Sequence, residues 1–155
     1  MSEPNFDLSA VHRWFSAECF NRAWDYIDKK QRTSEEDEEM IRLSLASAWH
    51  WTQRPDCTNI NRSVGLWQNA RVYALVVQVE NARRYAKLCL AISKSQDVPP
   101  FYLGYAYETL ARAEKMAGNR QQAEELVAEA RQLAAQVTEK EERDLLLTDL
   151  AGLSN

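Results

Sequence analysis

The chain has 155 residues, 45% of them hydrophobic and 27% charged, with only four glycines and four prolines, which is the composition of one helix-rich globular domain and excludes general disorder. A net charge of −4 and an isoelectric point near 5.3 exclude the basic footprint that nucleic acid or an anionic membrane surface requires. No apolar run approaches the ~20 residues that span a bilayer.

The opening stretch MSEPNFDLSA has neither the basic start nor the apolar core of a signal peptide. Apolar residues then recur at helical spacing from Leu8 to about Lys29, predicting a first helix that buries Val11, Phe15, Phe20, Ala23, Trp24 and Ile27. Cys19, in this helix, is one of three widely spaced cysteines with Cys57 and Cys89. They form no CxxC pair, so reduced thiols in a cytoplasmic protein are expected, and neither a disulfide framework nor a zinc site. TSEEDEEM reads as the start of a second helix, Ser34 to Thr52, with Thr33 or Ser34 as N-cap and carboxylates from Glu35 to Glu39 at the positive end of its dipole. Its inner face combines Ile41, Leu45, Ala48 and Trp51 with the small residues Ser44 and Ser47. Pro55 closes it.

RPDCTNINRS reads as a polar connector. A third helix is expected from about Val64 to Val79 with Leu66, Ala70, Tyr73, Ala74 and Val77 inward, and a fourth from about Glu80 to Ser93 with Ala82, Tyr85, Ala86 and Cys89 inward. SQDVPP is a break. The fifth helix follows Pro99-Pro100 and uses Leu103, Ala106, Tyr107, Leu110 and Ala117 before Gly118-Asn119 supplies a positive-φ turn. The sixth, Arg120 to Val137, buries Ala123, Leu126, Val127, Ala130, Leu133 and Ala134, and a last helix near Glu139 to Leu153 caps the stack with Leu146, Leu147, Leu150 and Leu153.

Two of these hairpins share a register. Twelve residues separate Ala111 from Ala123 and also Ala70 from Ala82; seven separate Ala123 from Ala130 and also Ala82 from Cys89. The offset between the pairs is 41 residues. Tyr107, Leu110, Ala111, Gly118, Ala123, Val127 and Ala130 stand at the aromatic, Leu, small, turn-Gly, Ala, large apolar and Ala places of the tetratricopeptide repeat, which the segment resembles despite that motif's shorter period of ~34 residues. Glu114 occupies a place usually held by Tyr. The earlier hairpin is similar at Ala70, Tyr73, Ala82 and Cys89 and departs at Asn69, Val77 and Ala86, where Leu, Gly and a large apolar residue are usual. The whole chain also resembles small uncharacterised bacterial proteins with tetratricopeptide-like folds. The resemblance implies a single all-α helical-repeat domain over residues 1–155, a right-handed array of antiparallel hairpins at about 8–52, 64–93 and 101–137 with a capping helix at 139–153.

In such an array the first helix of each pair lines a concave wall. The resemblance places Val64, Trp67, Arg71 and Ala74, and then Tyr105, Glu108, Arg112 and Lys115, on that wall. Arg71 and Arg112 fall at equivalent places and suit a carboxylate, because guanidinium offers it a planar fork and stacks on aromatics such as Trp67 and Tyr105. Pairing of both arginines with local glutamates is the competing assignment. Trp49, His50 and Trp51 are consecutive and cannot share one helix face. His50 and the only other histidine, His12, have no metal-ligand spacing. Arg83, Arg84 and Lys87 read as a solvated cluster, and Glu35 to Glu39 lack the alternating ligands and glycine of a calcium loop. With no phosphate loop, nucleophile elbow or paired-cysteine motif, the expected function is a non-enzymatic module that binds a peptide or acidic protein segment without cofactor, with a homodimer through aromatic surface as a further expectation. The alternative is an enzymatic or small-molecule-binding domain with a pocket around His50 and Arg71.

Overall fold

A computed structural model of the chain describes residues 5–153, so the first four residues of the stretch judged against a leader lie outside it. Seven helices follow in order: α1 Leu8–Ile27, α2 Ser34–Thr52, α3 Asn59–Leu75, α4 Val79–Ser93, α5 Pro100–Met116, α6 Arg120–Ala134 and α7 Lys140–Leu153. Among the described residues there is no strand, and no helix is long and apolar enough to cross a membrane. Local chemistry starts the helices where it should. Asp7 accepts from the backbone of Ser9 and Ala10 to cap α1, and Thr33 and Glu36 close a capping box on α2. The third helix begins five residues earlier than the sequence suggests, because Thr58 and Asn61 form a second capping box inside the polar stretch read as connector. It also ends earlier, at Leu75, and α6 stops at Ala134.

The chain is an array of antiparallel hairpins, α1/α2, α3/α4 and α5/α6, each packing on the next through α2 with α3 and α4 with α5. The first helices also touch one another, α1 with α3, α3 with α5 and α5 with α7, while α2 and α4, and α4 and α6, do not approach. First helices that crowd while second helices fan apart bend the array toward the first-helix side. Small residues permit the crowding: Ala70, Ala82, Ala86, Ala106, Ala111 and Ala113 are all at most 1% exposed. At the far end Gly104 lets α7 close on α5, since a Cβ there would stand 2.6 Å from the Leu146 side chain.

Buried polar ties join the helices, two across the boundary between the first and second hairpins and one inside the first. Buried Asn69 donates to Ser44 Oγ at 2.8 Å, Gln68 donates to the Phe20 carbonyl at 3.1 Å, and Ser47 donates to the Ser16 carbonyl at 2.7 Å. These bonds fix register where burial alone would allow sliding. Phe15, expected in the core, is 39% exposed, and Ser16 and Cys19 take the inner face of α1. Arg83 is not merely solvated; it bonds buried Glu114 at 3.1 Å and Glu80 at 3.2 Å.

Candidate functional site

The inner wall is lined by all four first-position helices. Trp24 of α1 stacks on Trp67 of α3 with ring centroids 5.9 Å apart and planes 26° apart; Trp67 meets Tyr105 of α5 edge-on at 5.9 Å, and Tyr105 meets Phe101 edge-on at 5.1 Å. This aromatic run borders a hollow of about 350 Å³ that Phe20, Val64, Tyr102, Leu145 and Asp149 complete. Its polar contribution is slight. Tyr105 donates to Asp149 Oδ2 at 2.8 Å, and burial, then that bond, push its phenol above the usual range. An apolar hollow with one edge of fixed polar groups is the ordinary form of a site that takes an apolar side chain or ring.

Farther along the same wall, a hollow of about 450 Å³ is lined by Arg71, Ala74, Leu75, Arg112, Lys115, Met116, Gly152 and Leu153. Trp67 and Arg71 are one turn apart on α3, so the apolar and cationic hollows adjoin along that helix. The three cations are not equivalent. Arg112 is paired with Glu108 one turn back, through Nε at 3.1 Å and again through a terminal nitrogen. Lys115 donates to the Leu153 carbonyl at 2.9 Å and so holds the end of α7. Arg71 has no hydrogen bond or ion pair among the described residues. Burial, and next the charge of Arg112, lower its pKa, with Glu108 and Asp149 acting weakly in the opposite direction. A guanidinium stays charged through such a shift, so the wall carries a half-buried cation whose hydrogen-bonding fork is unused.

The structure therefore brings Trp67, Arg71, Tyr105, Arg112 and Lys115 to one groove. Glu108, expected to face the groove as a contact residue, is only 2% exposed and serves as the counter-charge of Arg112. His50 lines neither hollow. It sits near the end of α2 and faces α1, where its Nδ1 stands 2.8 Å from His12 Nδ1 with Trp49 beside it. Trp49 is turned out, and Trp51 lies under the Arg54 guanidinium at 3.8 Å. Phe20, Trp24, Phe101, Tyr102, Leu145 and Asp149 belong to the groove although sequence reasoning did not place them there. Phe20 and Trp24 read as core because they share the stripe of Ala23 and Ile27. A protein-family model, a curated protein or a solved structure that matches the chain was not found. Among the described residues no three His, Cys, Asp or Glu side chains converge as a metal site.

Proposed function

We propose that the concave wall is a non-enzymatic binding surface for an extended peptide or protein segment, which places an apolar side chain in the aromatic hollow and a carboxylate on Arg71. The observation that carries this reading is the pairing of an apolar hollow with a half-buried guanidinium that has no hydrogen-bonded partner among the described residues, one turn away on the same helix. One helical turn advances about 5.4 Å, close to the ~6.6 Å between alternate residues of an extended chain. The acidic residue of the segment therefore sits about two positions from its apolar anchor. The tetratricopeptide-like spacing of Tyr107 to Ala130 supports the same reading, since arrays of this kind bind along the first-helix wall. Fold analogy alone would be a weak warrant; the unused guanidinium is specific to this groove. Three reduced cysteines are consistent with a protein that works in the cytoplasm.

Fluorescence polarisation tests it with short peptides carrying Phe or Leu two positions from Glu, against the same peptides with Lys in place of Glu. The acidic set binds and the Lys set does not, and binding weakens as salt is raised. Arg71→Ala removes about 2 kcal/mol or more, roughly thirtyfold in Kd, whereas Arg112→Ala costs less because Glu108 already occupies Arg112. Undiminished binding by the Arg71→Ala/Arg112→Ala double variant would falsify the groove assignment.

A further inference from the structure

The contact between His12 and His50 is absorbed by no part of the groove. The two rings meet at the open end of the first hairpin, from the start of α1 and the end of α2, 38 positions apart in sequence. Phe15 stacks on His50 with centroids 5.3 Å apart and planes 22° apart, and Trp49 stands edge-on to both imidazoles at 5.4 Å and 4.9 Å. Both rings are half-buried, so solvent reaches them. Apart from their mutual contact, neither ring has a hydrogen bond or ion pair to the described residues. Histidines held by aromatic walls and facing only each other are an unusual use of two scarce side chains in a chain that has no others.

We propose that His12 and His50 form a bis-imidazole site for a late first-row divalent metal ion, with Cu²⁺ and Ni²⁺ the preferred occupants. The 2.8 Å between the two Nδ1 atoms is the hydrogen bond of the metal-free pair, and it brings two imidazole nitrogens near enough for one ion to reach both once the rings turn. With imidazole as the only side-chain ligand type, the order of divalent affinities puts Cu²⁺ first and Ni²⁺ next. Neutral imidazole is the ligating form.

The proton inventory balances. Without metal, one Nδ1 carries the hydrogen and donates it to the other. On binding, that ring changes tautomer through solvent so that its hydrogen moves to Nε2, both rings rotate so that their Nδ1 lone pairs leave the N···N line and meet at the ion, and two of the ion's waters leave. Water keeps the remaining positions, as no third ligating side chain adjoins. The ion clips the start of α1 to the end of α2 and binds only the folded hairpin, so it raises the melting temperature.

The test uses the full chain without a polyhistidine tag and with Cys57→Ser, since Cys57 is the accessible thiol among the three. Calorimetry with Ni²⁺ alone should give one site per chain, the melting temperature should rise with Ni²⁺ or Cu²⁺, and the Cu²⁺ electron paramagnetic resonance signal should show two equatorial imidazole nitrogens. His12→Gln and His50→Gln should each lose the site while keeping helical circular dichroism. Should either variant fold poorly, the resonance signal of the histidine-intact chain decides. A signal without imidazole coupling overturns the proposal, and so does an undiminished Ni²⁺ site in the double variant.

Discussion

The turns of the second and third hairpins have almost the same backbone built from different residues. At the end of α5, Gly118 has φ 84°, the Asn119 amide reaches back to the Glu114 carbonyl at 2.9 Å, and Asn119 leads into α6 with φ −85° and ψ 65°. At the end of α3, Val77 has φ 61°, the Gln78 amide reaches back to the Tyr73 carbonyl at 2.9 Å, and Gln78 leads into α4 with φ −87° and ψ 76°. Both are left-handed helix stops with the long backward hydrogen bond of the Schellman type. Glycine adopts that conformation without penalty; a β-branched residue pays for it in steric strain. A turn held in one shape by either residue is dictated by the packing of the helices it joins, and the residue sets only its energetic cost.

The packing that imposes the turn is the first place to break the comparison. Ala70 and Ala82 are each 1% exposed and sit inside a cluster with Ala86, Leu110 and Ala113 that neighbouring hairpins cover on both sides. Ala111 and Ala123 are the matched pair of the last hairpin, but they border a hollow of about 530 Å³ beside α6 and the end of α7. Added volume has somewhere to go there. Ala82→Leu should destabilise by about 3 kcal/mol and Ala123→Leu by about 1 kcal/mol, spanning the usual range for an overpacked core. Urea denaturation of both variants measures the difference, and equal losses would mean that the two crossings are equally closed.

A second difference lies in how the hairpins are tied. Glu114 of α5 is fully buried, accepts from Arg83 of α4 at 3.1 Å and also accepts from the Asn119 side chain, so one carboxylate joins the preceding hairpin to the turn that follows. The corresponding residue of α3 is Tyr73, which stacks on Tyr85 at 5.4 Å. Glu114→Gln should cost about 2 kcal/mol, the scale for a hydrogen bond to a charged group, with Arg83 exposed enough to recover some hydration. Burial pushes the Glu114 pKa upward, and the bonds from Asn119 and Arg83 outweigh it, leaving it below the ordinary 4.5. A depressed carboxylate stabilises the fold above its unfolded pKa, and that contribution fades as pH falls through the folded value. The stability gap between parent and variant should therefore be constant near neutrality and narrow below about pH 4.5. A gap that held constant down to pH 3 would show that shape, and not charge, makes the contact.

These differences mark what the sequence could and could not reveal. Helical periodicity gave the number and order of helices because each buries a stripe at fixed spacing, and the matched alanines gave the hairpin register because close crossings tolerate only small residues. Asn69, Val77 and Glu114 looked like decay of a repeat; two of them are buried bonds to Ser44 and Arg83, and the third is a strained turn. Their partners lie 25 and 31 residues away, and no local pattern announces them. The cationic half of the groove was legible from equivalent places on α3 and α5. The aromatic half was not, because Phe20 and Trp24 reach it only through the way α1 lies against α3, a tertiary fact. The facing histidines depend on the register of α1 against α2 in the same way.

The smallest expected effect tests the opening comparison most directly. Val77 is 72% exposed, so its side chain contributes little packing that glycine would forfeit. A non-glycine residue in the left-handed region costs on the order of 1–3 kcal/mol, most for a β-branched one, and glycine returns roughly 0.5–1 kcal/mol of that as extra unfolded-chain entropy. Val77→Gly should therefore stabilise the protein by about 1 kcal/mol, and Gly118→Val should destabilise it by a similar amount, because no atom stands within 4 Å of a Cβ at Gly118 and only the backbone opposes the change. The two substitutions sit on different hairpins with separate turn bonds, so the double variant should return close to the parent melting temperature. If Val77→Gly lowered stability, the valine would be holding a contact or a backbone state that the shared turn geometry does not express.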